Sequence, residues 1–212
     1  MTMKYLLIII LILLFSCVGD NKEIKNTTKS PNIKNQLQSS NSKLQIIIQP
    51  FDDFPIQRAN FIYNNVKNIY SNTVLFKSVA LPKKSYYPAR NRYRADSIIN
   101  WLSERVTINQ IIAGLTTKDI SATKGNYLDW GIMGLGQCPG NACVVSSFRL
   151  KDLSNEQLFK VVIHELGHTQ GLEHCLVKTC FMRDAEGRNP TDEEIEFCPS
   201  CKKVLLSKGW KL

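Results

Sequence analysis

The sequence is short of histidine and of long apolar runs, and both shortages narrow what the protein can be. Only three of its 212 residues are histidine. The apolar run at residues 6–15 has ten residues, whereas a membrane-spanning helix needs about 20. No internal repeat is present, which argues against solenoids and propellers. Once the polar N-terminal stretch is set aside, about 170 residues remain, enough for one domain with its own apolar core.

Acidic residues are fewer than basic ones, and this imbalance limits the partners that we expect. The chain has 27 Lys and Arg against 18 Asp and Glu, for a formal net charge of +9. The basic residues are dispersed, and no known nucleic-acid-binding module accompanies them. We therefore expect a monomer without a nucleic-acid partner, in which the excess charge serves solubility. Attraction to an anionic surface or substrate is the alternative.

The N-terminal region resembles a secretory signal. Lys4 precedes the apolar run, and residues 14–17 (Leu-Phe-Ser-Cys) resemble the lipobox of bacterial lipoproteins, in which the cysteine carries the lipid. We predict a signal peptide at 1–16, lipidation of Cys17 and a flexible polar tether at 17–43. The expected location is the bacterial cell envelope, with the protein anchored to a membrane by the lipid. The alternative is an ordinary cleaved signal with an incidental cysteine.

The predicted folded domain, residues 44–212, starts with strands and helices in alternation. Apolar runs predict strands at 44–51, 74–81 and 110–116, and helical spacing predicts helices at 57–70 and 94–105. Alternation of this kind indicates an α/β layer with a mostly parallel sheet. Strand-like segments at 130–135 and 142–150 flank a turn-rich stretch and predict a hairpin. Ser154 and Gln157 predict a capping box at the start of the next helix.

All three histidines lie in one motif, His164-Glu165-Leu166-Gly167-His168-Thr-Gln-Gly-Leu-Glu-His174. His164 and His168 are four residues apart on the predicted helix, so both project from one face and can bind one zinc ion. Gly171 permits the left-handed backbone that ends a helix and turns the chain back, which brings His174 to the same ion. Three protein ligands and a water molecule are typical of a catalytic zinc site. Glu165 is the expected general base.

Four cysteines follow directly, with the spacing of a second zinc site. Cys175 and Cys180 are separated by four residues, and Cys198 and Cys201 by two. Four thiolates close the coordination of a structural zinc, while two disulfides are the alternative in an oxidising compartment. Cys138 and Cys143 remain. They flank a Pro-Gly turn and are predicted to close a small disulfide loop, with free thiols as the alternative.

The stretch from His164 to Cys201 resembles the signature of the archaemetzincins, in which an extended histidine motif runs directly into a four-cysteine site. The resemblance implies an α/β (α+β) metzincin-like fold with a mixed, mostly parallel sheet, an antiparallel edge strand, an active-site helix and a small zinc-bound C-terminal subdomain. It also implies a methionine turn at Met182 beneath the catalytic zinc, and pairing of peptide substrate with an edge strand at 130–135. Two zinc ions are therefore expected.

The expected function is hydrolysis of peptide bonds in a peptide or protein substrate, with Glu165 moving the protons. Arg183, next to Met182, is a candidate to assist the oxyanion. Two alternatives are an inactive zinc-stabilised binding module and a zinc hydrolase of non-peptide amides. An intact Glu165 argues against the first of these, because a purely structural site does not need that carboxylate.

Overall fold

The computed structural model describes residues 43–150 and 154–212. The predicted signal peptide, Cys17 and the tether up to residue 42 lie outside the described residues. Within the described part of the chain, no helix is both long and apolar enough to cross a membrane.

The described residues contain nine strands, four α-helices and two short 3₁₀ helices (Lys83–Ser85 and Pro88–Arg90), joined by loops and turns. The strands are β1 (Gln45–Pro50), β2 (Thr73–Leu75), β3 (Tyr86–Tyr87), β4 (Arg92–Arg94), β5 (Gln110–Thr116), β6 (Ile120–Lys124), β7 (Tyr127–Ile132), β8 (Gly134–Gly136) and β9 (Ala142–Ser146). The helices are α1 (Ile56–Ile69), α2 (Ala95–Ser103), α3 (Asn155–Thr169) and α4 (Pro199–Ser207).

The main sheet has the strand order β2-β1-β5-β9-β8. β1 pairs in parallel with both β2 and β5, and β5 pairs in parallel with β9. β8 is antiparallel to β9 and forms the edge of the sheet. The predicted mixed, mostly parallel sheet with an antiparallel edge strand is therefore confirmed.

Helices cover both faces of this sheet, which explains the unbroken apolar runs of its central strands. Ile46 and Ile48 of β1 belong to a core that includes buried residues of α1 and α3, whereas Ile47 packs with buried residues of α2 on the other face. The C-terminal segment is continuous with the first core. Trp210 packs against Tyr70 with the rings tilted by 56° and their centroids 5.7 Å apart, and the main-chain N–H of Lys211 donates to the carbonyl of Ile69.

The structure corrects three predicted strands. The strand predicted at 74–81 ends at Leu75, and beyond it Val79 makes only an isolated bridge to Phe51. The strand predicted at 130–135 is divided between two sheets, because β7 pairs with β6 while β8 pairs with β9. The hairpin is confirmed with β8 and β9 as its strands, but its second strand, predicted at 142–150, ends at Ser146.

A second sheet with the order β3-β4-β6-β7 was not predicted. Its first two strands have only two and three residues, so no periodic pattern can develop in them. β4 also carries charge on both sides of Tyr93. Arg92 forms ion pairs with Asp119 and Asp129, at 2.6 and 3.1 Å, and these partners lie far away in the sequence.

Candidate functional site

His164 and His168 face each other across one turn of α3. The Nδ1–H of His164 donates to the carbonyl of Phe181 at 2.6 Å, and that of His168 to the carbonyl of Leu172 at 2.7 Å. Since a carbonyl can only accept, the proton of each neutral ring lies on Nδ1. Burial lowers the pKa of His164 to about 3 and also lowers that of His168. Both rings are therefore neutral at pH 7, and both Nε2 atoms carry free lone pairs.

His174 reaches the same place because α3 ends in a Schellman motif. Gly171 has φ +87°, its N–H donates to His168, and the N–H of Leu172 donates to Gly167. This is the backbone turn that Gly171 was predicted to permit. The ligand atoms of the three histidines all lie within 4.8 Å of one another, and His174 Nδ1 is 3.7 Å from Asp184 Oδ2.

The three histidines fit a zinc ion. The Nε2 atoms of His164 and His168 are 3.1 Å apart, and with both protons on Nδ1 the two lone pairs repel unless a cation lies between them. Zn–N bonds of about 2.0–2.1 Å in a tetrahedron place two nitrogens about 3.3–3.4 Å apart, close to this separation. Among the described residues, no carboxylate or thiol joins the three imidazoles in this group. Three protein donors are the number found at catalytic zinc sites.

Glu165 is buried between α3 and the edge strand β8. A Cβ added at Gly134 would overlap Glu165 Oε1, and one added at Gly136 would lie 2.7 Å from the Glu165 carbonyl oxygen. Burial raises the pKa of Glu165 to about 8. No hydrogen bond to its carboxylate is donated by any residue in 43–150 or 154–212. The carboxyl group is thus held by packing, and it becomes able to accept a proton at pH 7 once the charge of a cation bound by the histidines lowers this pKa.

Met182 is fully buried directly against α3. A Cβ added at Gly167 would overlap its sulfur, so the absence of a side chain at Gly167 is what allows the close approach. Met182 also connects the histidines to the cysteines, because its carbonyl accepts from the N–H of Cys175 at 2.7 Å and its own N–H donates to Cys180 Sγ at 3.5 Å. This is the position that the resemblance implies for a methionine turn.

The sulfurs of Cys175, Cys180, Cys198 and Cys201 form the second cluster and all lie within 4.8 Å of one another. Those of Cys175 and Cys198 are 3.7 Å apart, which agrees with about 3.8 Å expected for two thiolates bound to one tetrahedral zinc at about 2.3 Å. Burial raises the pKa of Cys198, but hydrogen bonds from Cys201 and the neighbouring thiols outweigh it and bring the value to about 7. All four cysteines are free, so the alternative of two disulfides is not realised.

The predicted disulfide between Cys138 and Cys143 is not formed, and both thiols are free. The register of the β8–β9 hairpin pairs Cys143 with Gly136 and buries the Cys143 side chain in the core. Cys138 lies beyond the end of β8 in the turn, and its thiol donates instead to the carbonyl of Leu172 at 3.3 Å.

A cavity of about 620 Å³ opens over the histidines. Its walls are β8 with part of β7, one side of α3, and a loop that follows Met182 and includes residues 183–194. Arg183 was a candidate to assist the oxyanion, but its guanidinium donates instead to Glu193 at 2.6 Å and to the carbonyl of Lys178 at 3.3 Å.

Sequence reasoning missed three features of this site, Gly134, Gly136 and Glu194. Gly134 and Gly136 are two residues apart, and side chains at that spacing share one face of a strand, so the pair signalled a close approach on one side. The burial of Glu194 had no local signal, because it depends on packing between a loop and a distant helix.

The model of peptidase family M54 matches residues 59–207. Archaemetzincin from Halobacterium salinarum is 29% identical over 178 residues, which cover 77% of this chain and 100% of the relative. Archaemetzincin from Methanopyrus kandleri is 33% identical over 134 residues, which cover 61% of this chain and 74% of the relative.

Two crystal structures of similar proteins share the fold. That of the Methanopyrus kandleri archaemetzincin superposes with a TM-score of 0.68 at 28% identity, covering 81% of this chain and 98% of the other. That of the Archaeoglobus fulgidus archaemetzincin, solved in complex with malonate, gives a TM-score of 0.65 at 26% identity, covering 76% and 99%.

Proposed function

Because the chain belongs to peptidase family M54, we propose that His164, His168 and His174 hold the catalytic zinc and that Glu165 is the general base. The protein is a zinc-dependent peptidase that hydrolyses peptide bonds. The observation that carries the residue assignment is the pair of facing Nε2 atoms of His164 and His168, 3.1 Å apart. Both are unprotonated, because the proton of each ring lies on Nδ1 and is donated to a main-chain carbonyl.

When bound, zinc lowers the pKa of water toward about 7 and polarises the substrate carbonyl. Glu165 accepts the proton of the attacking water and passes it to the leaving amine. Its burial against β8 makes the carboxylate more basic and excludes bulk water from the proton transfer. The carbonyls of Phe181 and Leu172 fix the rings of His164 and His168 so that Nε2 stays the donor atom.

The edge strand β8 orients the substrate. Among the described strands it pairs only with β9, so the main-chain groups on its other edge remain for an extended peptide. Gly134 and Gly136 present no side chain toward Glu165, which lets the peptide backbone approach the base closely. The substrate strand, predicted at 130–135, is therefore reassigned to β8, which overlaps that range only at residues 134–135.

We assign a second, structural zinc to Cys175, Cys180, Cys198 and Cys201. The free thiols, the sulfur separation of 3.7 Å and main-chain N–H groups donating to Cys180 Sγ support this assignment. Four thiolates complete a tetrahedron and leave no position for water, so this zinc would stabilise the fold.

Cleavage of a peptide library by the full zinc-loaded chain, read by mass spectrometry, tests the function. Defined cleavage that a chelator abolishes and added zinc restores is the expected result. Cleavage of non-peptide amides alone would favour the hydrolase alternative. Binding of library peptides without cleavage would favour the alternative of an inactive binding module. The buried Glu165 argues against that alternative, because a binding module does not need a general base.

We also propose, from the resemblance at residues 14–17, that Cys17 carries a lipid which anchors the protein to a membrane of the bacterial cell envelope. Metabolic labelling with a fatty acid should mark the wild-type protein and leave Cys17→Ala unlabelled. Wild-type protein that is unlabelled and fully soluble in its host would contradict this prediction, as would equal labelling of the variant.

A further inference from the structure

Glu194 is a buried carboxylate in the wall of the active-site cavity. Only 4% of the residue is exposed, and it lines the cavity together with His164 and Glu165. Burial raises its pKa to about 7, against the attraction of Lys160 and Arg183. In the part of the chain that the structure describes, no residue donates a hydrogen bond to its carboxylate or forms an ion pair with it. Glutamate is almost never buried in this way unless it has a partner.

The arginines around the cavity do not supply that partner, because each is bonded to a different carboxylate. Three arginines line the cavity, and their bonds are Arg149 to Asp119 at 2.9 Å, Arg183 to Glu193 at 2.6 Å and Arg188 to Glu186 at 3.5 Å. Each of these arginines is therefore engaged by a carboxylate other than that of Glu194, although Asp119 is shared with Arg92.

The nearest lysines are also occupied. Lys160 donates to the main-chain carbonyls of Thr191 and Glu194, at 2.8 Å each, and lies 3.6 Å from Glu156. Lys124 lies over the ring of Trp130, 5.6 Å from its centroid. Among the described residues, the carboxylate of Glu194 in the cavity wall thus forms no ion pair, although the charges of Lys160 and Arg183 act on it.

The loop that carries Glu194 is fixed to α3. Gln157 donates to Asp192 at 2.6 Å and accepts from Asn189 at 3.2 Å, and Lys160 holds the main chain as described above. Val161 lines the same cavity and precedes His164 by three residues, a rise of about 4.5 Å along the helix. A substrate side chain in this part of the cavity therefore lies close to the reacting carbonyl.

We propose that Glu194 is a specificity-determining residue, which binds a lysine or arginine side chain of the peptide beside the bond that is cut. This inference rests on the proposed peptidase function. A cationic side chain would give the carboxylate the charge-assisted hydrogen bonds that it lacks, while the methylenes of that side chain pack on Val161. A neutral side chain would leave Glu194 desolvated and unpaired, and a site discriminates strongly against ligands that leave its polar groups without partners.

The test compares two peptides that differ at one position next to the cleaved bond, where one has lysine and the other norleucine of nearly equal length. For the wild-type holoenzyme, kcat/KM should be at least tenfold higher for the lysine peptide. Glu194→Gln, which keeps the shape and removes the charge, should reduce this ratio to below about threefold. Glu196→Gln removes an exposed charge two residues away and should keep the wild-type ratio.

Binding gives a readout that does not depend on turnover. On zinc-loaded Glu165→Gln protein, calorimetry should give at least tenfold tighter binding of the lysine peptide, and Glu165→Gln/Glu194→Gln should lose the difference. A wild-type ratio near one, or a ratio that survives in folded Glu194→Gln, would overturn the specificity role and leave the peptidase function intact. A wild-type holoenzyme that cleaves no library peptide would contradict the function, and the role of Glu194 with it.

Discussion

Among single residues, Glu165 is the one whose function depends most on close packing. Its carboxylate has no hydrogen-bond donor within residues 43–150 and 154–212, so its position is set by contact with the main chain of β8. A catalytic group held by packing is sensitive to small displacements, because an error of about 1 Å costs on the order of 10²-fold in rate.

Gly134→Ala tests this packing. The new methyl group would overlap Glu165 Oε1, so the carboxylate or β8 must move, and we expect kcat/KM to fall by about 10²-fold. Zinc content should stay at the wild-type level, because no histidine donor is touched. In the control Gly125→Ala the added Cβ meets nothing within 4 Å, so its backbone strain should lower stability only. Wild-type kinetics in Gly134→Ala would contradict the packing argument.

At the scale of elements, the segment between α3 and α4 joins the two metal centres. Cys175 follows His174 directly, and its N–H donates to Met182, while the carbonyl of Phe181 accepts from His164. The cysteine cluster therefore fixes the chain that supplies a histidine donor, the buried methionine and the orientation of another histidine.

Cys198→Ser should consequently abolish cleavage, although Cys198 is not one of the three histidine ligands of the catalytic zinc. Loss of one thiolate weakens a site whose metal binding is coupled to folding, so we expect about one zinc fewer per chain and a lower Tm. Cys138→Ser is the matched control, since its thiol belongs to neither donor set and serine can replace it as a donor to Leu172. Wild-type zinc content and Tm in Cys198→Ser would refute the structural role.

The elements also show what the sequence can and cannot predict. β1, β5 and α1 were predicted within a residue or two, because continuous apolar runs and helical spacing are local signals. The N-cap of α3 was predicted too, since the N–H of Gln157 donates to Ser154 Oγ at 3.2 Å. The reciprocal half of that capping box is absent, because the Gln157 side chain bonds instead to Asp192, 35 residues away in the sequence.

The missed features all depend on distant partners. β4 was not predicted because its arginines are unusual in a strand, and Asp119 and Asp129, which pair with Arg92, are distant in the sequence. α4 was not predicted because it buries only Cys201 and Leu205 among its nine residues, too few for a helical pattern. Seven of the site residues, by contrast, were found because the histidine and cysteine spacings encode ligand geometry directly. The burial of Glu194 could not be predicted from the sequence, because it depends on how the folded loop packs against α3.

At the scale of the whole molecule, the folded unit is larger than the family match. The match begins at residue 59, but β1 lies between β2 and β5 in the main sheet. The Tyr70 hydroxyl also donates to the carbonyl of Leu44 at 2.9 Å. A chain truncated to 59–212 loses a fully buried central strand.

We therefore expect a chain that begins at residue 43 to be folded and one that begins at residue 59 to be insoluble or unfolded. Burying the three isoleucines of β1 contributes several kcal/mol, at about 1.5–3 kcal/mol for each side chain, which is comparable to the whole stability of a domain. Circular dichroism and thermal denaturation of the two chains decide the matter. Equal Tm values would show that the domain boundary predicted at 44 is wrong.

Zinc content measured beside peptide cleavage in wild-type protein, Glu165→Gln and His168→Ala separates the general base from the zinc ligands. Wild type should hold two zinc ions per chain and cleave. Glu165→Gln should hold two and not cleave, because it removes the base and no ligand, whereas His168→Ala should hold one and not cleave. Substantial cleavage by Glu165→Gln, or wild-type zinc content in His168→Ala, would contradict the assignment of base and ligands.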